Sequence, residues 1–415
     1  VDAFLLKRRY QVTKPLPKDT SHRDTSPDAV QRACWRYLWE KGDPHNGLVP
    51  DHLDSEGLIV SPASIAATGM ALSALPTGVQ NGWVTRHDAA QRARQTLRFF
   101  AREAQHHHGF FFHFLDMSTG ERVWECEVSS VDSTLLFLGA LFCRAYFNGK
   151  TAVETEVREL ATDIFERADW NWFCNGQDGV SLAYTPERGF SSHIWRGFNE
   201  GLLVYILALG SKSHALPVSS YEAWTRDYET KRIYGIDFLY SRPLFTHLFP
   251  HLWLDLRTMR DDFMRREHLN YFENARRAVA VQEEWARRRG DARMWGVSAC
   301  DGPNRRKNGG YHARGVPFGR FDGVYSPPVC LASLPFEPET ASTAWQFWIE
   351  KHPELLSDWG VAGAVEPSTG WISGTYGLDA AMLVLMLENV RSGLFWELSH
   401  TISELQTGLE RAGFR

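Results

Sequence analysis

Two kinds of helical segment alternate along this chain, and that alternation limits its possible folds more than any other feature. Amphipathic segments with one charged face (residues 86–105, 152–168 and 270–288) are interleaved with nearly uncharged ones rich in small and aliphatic residues (63–75, 128–143, 201–209 and 378–387). A helix that is apolar all round must be covered on nearly every side, whereas an amphipathic one needs cover along a single stripe. Pairing one of each, six times over, predicts a closed ring of inner and outer helices: an all-α (α/α)6 toroid in a single domain. A helical solenoid is the rival, weakened by the lack of a sequence repeat at fixed period.

Local signals support about eleven helices. Ser26-Pro27 and Ser61-Pro62 each place a capping hydroxyl before a first-turn proline, and Thr85 and Thr151 can cap the segments that follow them. Pro76 is expected to stop the helix begun at residue 63, because proline removes a backbone donor. Segments 198–209, 221–228, 338–350, 377–390 and 393–408 complete the set, with short hairpins near 109–114 and 182–184. The toroid is assigned to residues 26–415 and an N-terminal extension to 1–25.

Charge excludes several function classes. Lys and Arg number 45 against 50 Asp and Glu, a formal charge of −5, which supplies no field for gripping phosphates. Nucleic acid is therefore not an expected partner, and the basic runs 287–289 and 305–307 read as solvated surface. The longest nearly uncharged run, 128–143, is shorter than the roughly 18–20 residues that cross a bilayer and carries Asp132, so no membrane insertion is expected. Six cysteines without a CxxC pair read as buried free thiols. No start methionine or signal-type run leads the chain, so the compartment cannot be read directly.

Aromatic residues are abundant: 16 Trp, 13 Tyr and 25 Phe. Their faces stack on the C–H faces of sugars, which favours a carbohydrate ligand, although core packing uses the same residues. Three carboxylates stand at the starts of apolar helices: Asp132, with Glu127 five residues before it; Glu200, after Trp195 and Asn199; and Asp379, after Trp371 and Tyr376. Capping explains each singly. Three together, two of them preceded by aromatics, suit glycosidic cleavage, which needs one carboxyl kept protonated and another kept ionised. His247, His251, Asp255, Arg257, Trp295, Asp301 and Tyr311 are further candidates for the same pit. A metal at His247, His251 and Asp255 matches no standard ligand set, and the His106–His108 run reads as a solvated loop. No G-x-S-x-G elbow or catalytic cysteine signature is present.

In order along the chain, Ala63-Ser-Ile-Ala-Ala-Thr-Gly69, Gly82-Trp-Val-Thr-Arg86, Gly109 through His113-Phe114, Glu127-Val-Ser-Ser-Val-Asp132, Asn199-Glu200, Asp301-Gly-Pro303, Ser333 through Pro338 and Tyr376-Gly-Leu-Asp379 resemble the glucoamylase-like family that includes bacterial endo-β-1,2-glucanases, glycoside hydrolase family 144. The resemblance implies an (α/α)6 barrel that hydrolyses β-linked glucosides, typically β-1,2, with inversion. It implies Glu200 as general acid, Asp379 as general base and Asp132 in the sugar cleft. No cofactor is expected, because two carboxylates suffice. A periplasmic or secreted setting is implied by the resemblance alone. Two departures stand out: Ala380-Ala381-Met382 follows Asp379 where the family reads Gln-Gly-Pro, and Phe198 replaces a tyrosine. Exo and endo action both stay open. So do a glycosyltransferase or phosphorylase on the same barrel and a non-catalytic glucan-binding protein.

Overall fold

The computed structural model describes residues 23–303 and 310–415. Residues 1–22 of the expected 1–25 extension, and the basic run 305–307, therefore lie outside the described residues. Twelve helices alternate between an outer and an inner ring, forming an (α/α)6 toroid. The outer ones are α1 (Pro27–Glu40), α3 (Arg86–Arg102), α5 (Ala152–Glu166), α7 (Val218–Thr225), α9 (Tyr271–Arg288) and α11 (Pro338–Lys351). The inner ones are α2 (Ile65–Gln80), α4 (Ser130–Tyr146), α6 (Gly201–Gly210), α8 (Phe245–Leu248, continued by a 3-10 turn over Phe249–Leu252), α10 (Pro327–Ala332) and α12 (Gly377–Ser392). A final helix, α13 (Ser403–Arg411), packs on α6.

Sequence periodicity sets which ring each helix joins. Every residue of α6 is buried, and nearly all of α4, because neither has a charged stripe to offer solvent. The outer helices bury one face and link their exposed faces by ion pairs. Arg86 of α3, for example, reaches Glu154 of α5 at 2.9 Å. The ring closes where Gln31 of α1 donates to the Val384 carbonyl of α12 at 2.9 Å.

Of the predicted caps, Ser26, Thr85 and Thr151 each accept a first-turn backbone N–H. Ser61 does not: α2 starts three residues later, capped by Ser64, which accepts the Ala67 N–H, and Ser61 instead accepts the His52 N–H. Pro76 lies inside α2 instead of ending it. Its missing N–H leaves the Leu72 carbonyl without a helical donor, and the Cys143 thiol of α4 donates to that oxygen at 3.2 Å. A tertiary contact thus replaces the bond that proline removes. Nearby, α2 and α4 cross at two glycines. A Cβ on Gly139 would sit 2.0 Å from the Gly69 carbonyl oxygen, and one on Gly69 would sit 2.3 Å from the Leu136 Cα. The segment 393–408 is two helices, broken between Leu394–Ser399 and Ser403–Arg411.

Short strands brace one end of the ring. Ala63–Ser64, immediately before α2, pairs with Phe114–Leu115, and Val128–Ser129, before α4, pairs with Ala183–Thr185. The six cysteines are buried free thiols. Arg287 and Arg288 pair with Glu283 and Glu284 on the surface of α9. Among the described residues, no helix is long and apolar enough to cross a membrane.

Candidate active site

The strand-braced end of the ring opens into a cavity of about 760 Å³. Its wall includes Asp132, Glu200, Asp301, Tyr311, Tyr376 and Asp379, all candidates from sequence. The three carboxylates at the inner-helix starts leave capping to their neighbours. Asn199 accepts the Gly201 N–H at 2.9 Å, and the Glu200 side chain makes no cap bond. Ser129 accepts the Asp132 N–H and donates its hydroxyl to the Asp132 carboxylate at 2.5 Å. Asp379 sits in the first turn of α12, which has no side-chain cap.

Freed from capping, Glu200 and Asp379 face the hollow with no ion-pair partner among the described residues. Burial, with a further push from the Asp132 charge, raises the Glu200 carboxyl from its usual 4.5 to about 7. Burial, with the charge of Asp51, does the same to Asp379, from 3.8 to about 7. Tyr376 donates to Asp301 at 2.8 Å and stacks on His52 at 5.0 Å, fixing the wall beside Asp379.

Elsewhere on the wall His113 bridges two carboxylates. Its Nδ1 donates to Glu127 at 2.8 Å and its Nε2 lies 3.6 Å from Asp132. Burial opposes the imidazolium, but Asp132 and Glu127 outweigh it and lift His113 to about 9. The ligand atoms of these three residues lie within 4.8 Å of one another, close enough for an ion. An imidazolium has no free lone pair, so the bridge itself occupies that position.

The remaining candidates lie away from the hollow. Trp195 is buried, its indole donating to Ser130 at 2.9 Å, and Trp295 is fully buried in the core, so neither ring is available to a sugar. Trp371 packs on a small cluster of Cys300, Val324 and Ala364. His247 faces the outer ring, contacting Asn274 of α9 at 3.3 Å, and desolvation lowers it to about 4. His251 contacts the Tyr271 carbonyl at 3.2 Å. Asp255 and Arg257 follow the far end of the α8 turn, joined by two hydrogen bonds of 2.8 and 2.7 Å. These residues therefore form neither a sugar wall nor a metal cluster. Glu127 acts on the cavity only through His113.

Sequence reasoning missed Asp51, His52 and Trp124, and placed His113-Phe114 only in the family-like run without a site role; Phe245 and Phe249, from the same segment as His247, share the wall as well. Asp51 and His113 lie on loops and short strands, where no helical period points to them. The position of His113, directly ahead of the Phe114–Leu115 strand that pairs with the start of α2, was the available signal.

The family model described as "Putative glucoamylase" matches residues 192–403, just over half of the chain. The chain belongs to the glycoamylase family. The chain is 25% identical over 92% of its length to an exo β-1,2-glucooligosaccharide sophorohydrolase (non-reducing end) from Parabacteroides distasonis, and spans 57% of that relative. A crystal structure bearing the family's description, from Bacteroides uniformis, superposes with a TM-score of 0.86 at 26% identity, covering 95% of this chain and 99% of the other. An endo-β-1,2-glucanase from Chitinophaga pinensis, solved with sophorotriose and glucose, shares the glycoamylase fold at TM-score 0.85 and 23% identity, with 94% and 99% of the two chains covered.

Proposed function

We propose that this chain is a glycoside hydrolase that cleaves β-1,2-linked gluco-oligosaccharides or β-1,2-glucan with inversion of configuration. The observation that carries the reading is the pair Glu200 and Asp379: two desolvated carboxylates without counter-ions on the wall of one sugar-sized cavity. Near neutral pH such a pair can hold one proton between its members, the state an acid/base mechanism requires.

In that mechanism Glu200, protonated, gives its proton to the glycosidic oxygen as the C1–O bond breaks. Asp379, ionised, takes a proton from the water that attacks C1 from the opposite face. Either transfer can run through a sugar hydroxyl or a water chain, so direct contact between carboxylate and reacting atom is not required. Asp132, Asp301 and Tyr376 offer acceptors to sugar hydroxyls, and the exposed rings of Trp124 and Tyr311, each 59% accessible, offer stacking faces at the rim. The β-1,2 linkage is supported by the names of the sophorohydrolase and glucanase relatives.

A phosphorylase working through the same pair would pass the glucosyl unit to phosphate in place of water, and the two readings differ in their product. The test is a product assay on β-1,2-, β-1,3- and α-1,4-glucans and short oligosaccharides, with optical rotation for the anomer and with Glu200→Gln as control. The variant should lose at least ~10²-fold in rate while binding persists. Full activity in Glu200→Gln, or release of sugar phosphate only when phosphate is added, would overturn the reading.

A further inference from the structure

Beside the catalytic cavity lies a second hollow of about 320 Å³, whose wall includes Arg196, Phe198, Lys231, Tyr240, Arg242 and Phe318. Three separate chain segments run from one hollow into the other. Arg196 and Phe198 lead to Glu200, Tyr240 and Arg242 lead to Phe245, and the loop carrying Phe318 begins near Tyr311. The loop is locked against this wall at Gly315, where a Cβ would lie 2.1 Å from the Arg242 carbonyl oxygen. The second hollow therefore adjoins the first on the Glu200 side, away from the Asp51, Tyr376 and Asp379 wall.

The chemistry of its wall is that of a sugar platform. Phe318 is 61% exposed, the most accessible of the large hydrophobic side chains among the described residues. Its ring stands 6.3 Å from that of Tyr240 at an interplanar angle of 66°, and Lys231 sits over both, 4.6 Å from Tyr240 and 5.6 Å from Phe318. Arg196 is braced by Asp178 at 2.7 Å and Asp227 at 3.6 Å, whereas Arg242 has no ion-pair partner among the described residues. Lys231 is itself paired with Glu229 at 3.0 Å, and Asp227 and Glu229 also line the hollow. A ring face flanked by the planar guanidinium groups of Arg196 and Arg242 and by these carboxylates matches a glucosyl unit, whose C–H face stacks while its adjacent hydroxyls take paired hydrogen bonds.

We infer that this hollow is a distal subsite, holding glucosyl units of a chain whose scissile bond lies in the neighbouring cavity. The inference rests on the function proposed above and extends it: the protein gains affinity for chains long enough to reach from Glu200 to Phe318.

The experiment measures affinity by calorimetry for β-1,2-gluco-oligosaccharides of increasing length in Glu200→Gln, alone and combined with Phe318→Ala or Phe318→Tyr, alongside wild-type turnover. Affinity should step up once the chain reaches the second hollow. Phe318→Ala should remove that step, a loss of roughly five- to tenfold for long chains relative to short ones, and Phe318→Tyr should keep it. Equal losses at all lengths, or no loss at any, would overturn the subsite. Wild type that binds with the length step but turns nothing over would support the subsite while removing the hydrolase reading.

Discussion

His113 donates through Nδ1 to Glu127 at 2.8 Å, and so presents its other ring nitrogen to Asp132 on the cavity wall. The imidazolium holds Asp132 in one orientation beside Glu200. Replacing it by Gln removes the charge and leaves two carboxylates facing each other. His113→Gln should lower kcat/KM on β-1,2-gluco-oligosaccharides by about tenfold, the worth of one charge-assisted hydrogen bond. An unchanged kcat/KM would show that Asp132 holds its place without the bridge.

Activity should follow a bell centred near pH 7. The reactive form has Glu200 protonated and Asp379 ionised, and with both groups pushed up to about 7 that form reaches about one quarter of the protein at its maximum. Asp379 sets the acidic limb and Glu200 the alkaline one. Asp132 helps hold Glu200 up, so Asp132→Asn should move the alkaline limb to lower pH. Asp51 helps hold Asp379 up, so Asp51→Asn should move the acidic limb to lower pH instead. A pH–rate series on the two variants separates the assignments; limbs shifting in the opposite pattern would exchange the two roles.

The glycine crossing of α2 and α4 leaves no room for a methyl group, since both ideal Cβ positions fall against backbone atoms. Gly139→Ala should therefore destabilise the fold by about 2 kcal/mol or more through forced separation of two inner helices. Denaturant titration measures this, and a midpoint equal to wild type would mean the ring spreads without strain.

Acid stability should depend on Glu404, fully buried at the start of α13. Burial alone would raise its carboxyl, but Arg144, which donates to it at 3.1 Å, and Lys212 at 3.4 Å bring it down to about 2. A folded value below the unfolded one contributes stability that is complete above the unfolded value of about 4.5 and is lost as pH falls toward 2, about 3 kcal/mol in all. Glu404→Gln should show a flatter fall in melting temperature between pH 5 and 3 than wild type.

Much of the architecture was legible because its signals are local. The caps at Ser26, Thr85 and Thr151 act within one turn of their own helices. The inner helices α8 and α10 escaped notice because only four and six residues long, they carry too little period to detect. Pro76 was misread because the donor that satisfies Leu72 comes from Cys143, 71 residues away. At the site, Asp132, Glu200 and Asp379 stood out by interrupting apolar helices. Trp195 and Trp295 did not sort correctly, since an indole that lines a cleft and one that fills a core look alike in sequence. Asp51 and His113 stayed hidden on segments without periodicity.

The same unneutralised wall limits the endurance of the molecule in alkali. Glu200 and Asp379 titrate higher in the native state than in a disordered chain, so each strengthens the fold least when ionised, and their contribution declines as pH climbs from about 4.5 through 7. Because both sit where the inner helices begin, the weakening falls on the strand-braced rim and not on the far end of the ring. Above neutrality the fold thus carries the full cost of ionising both groups, imposed by the same desolvation that its proposed chemistry demands.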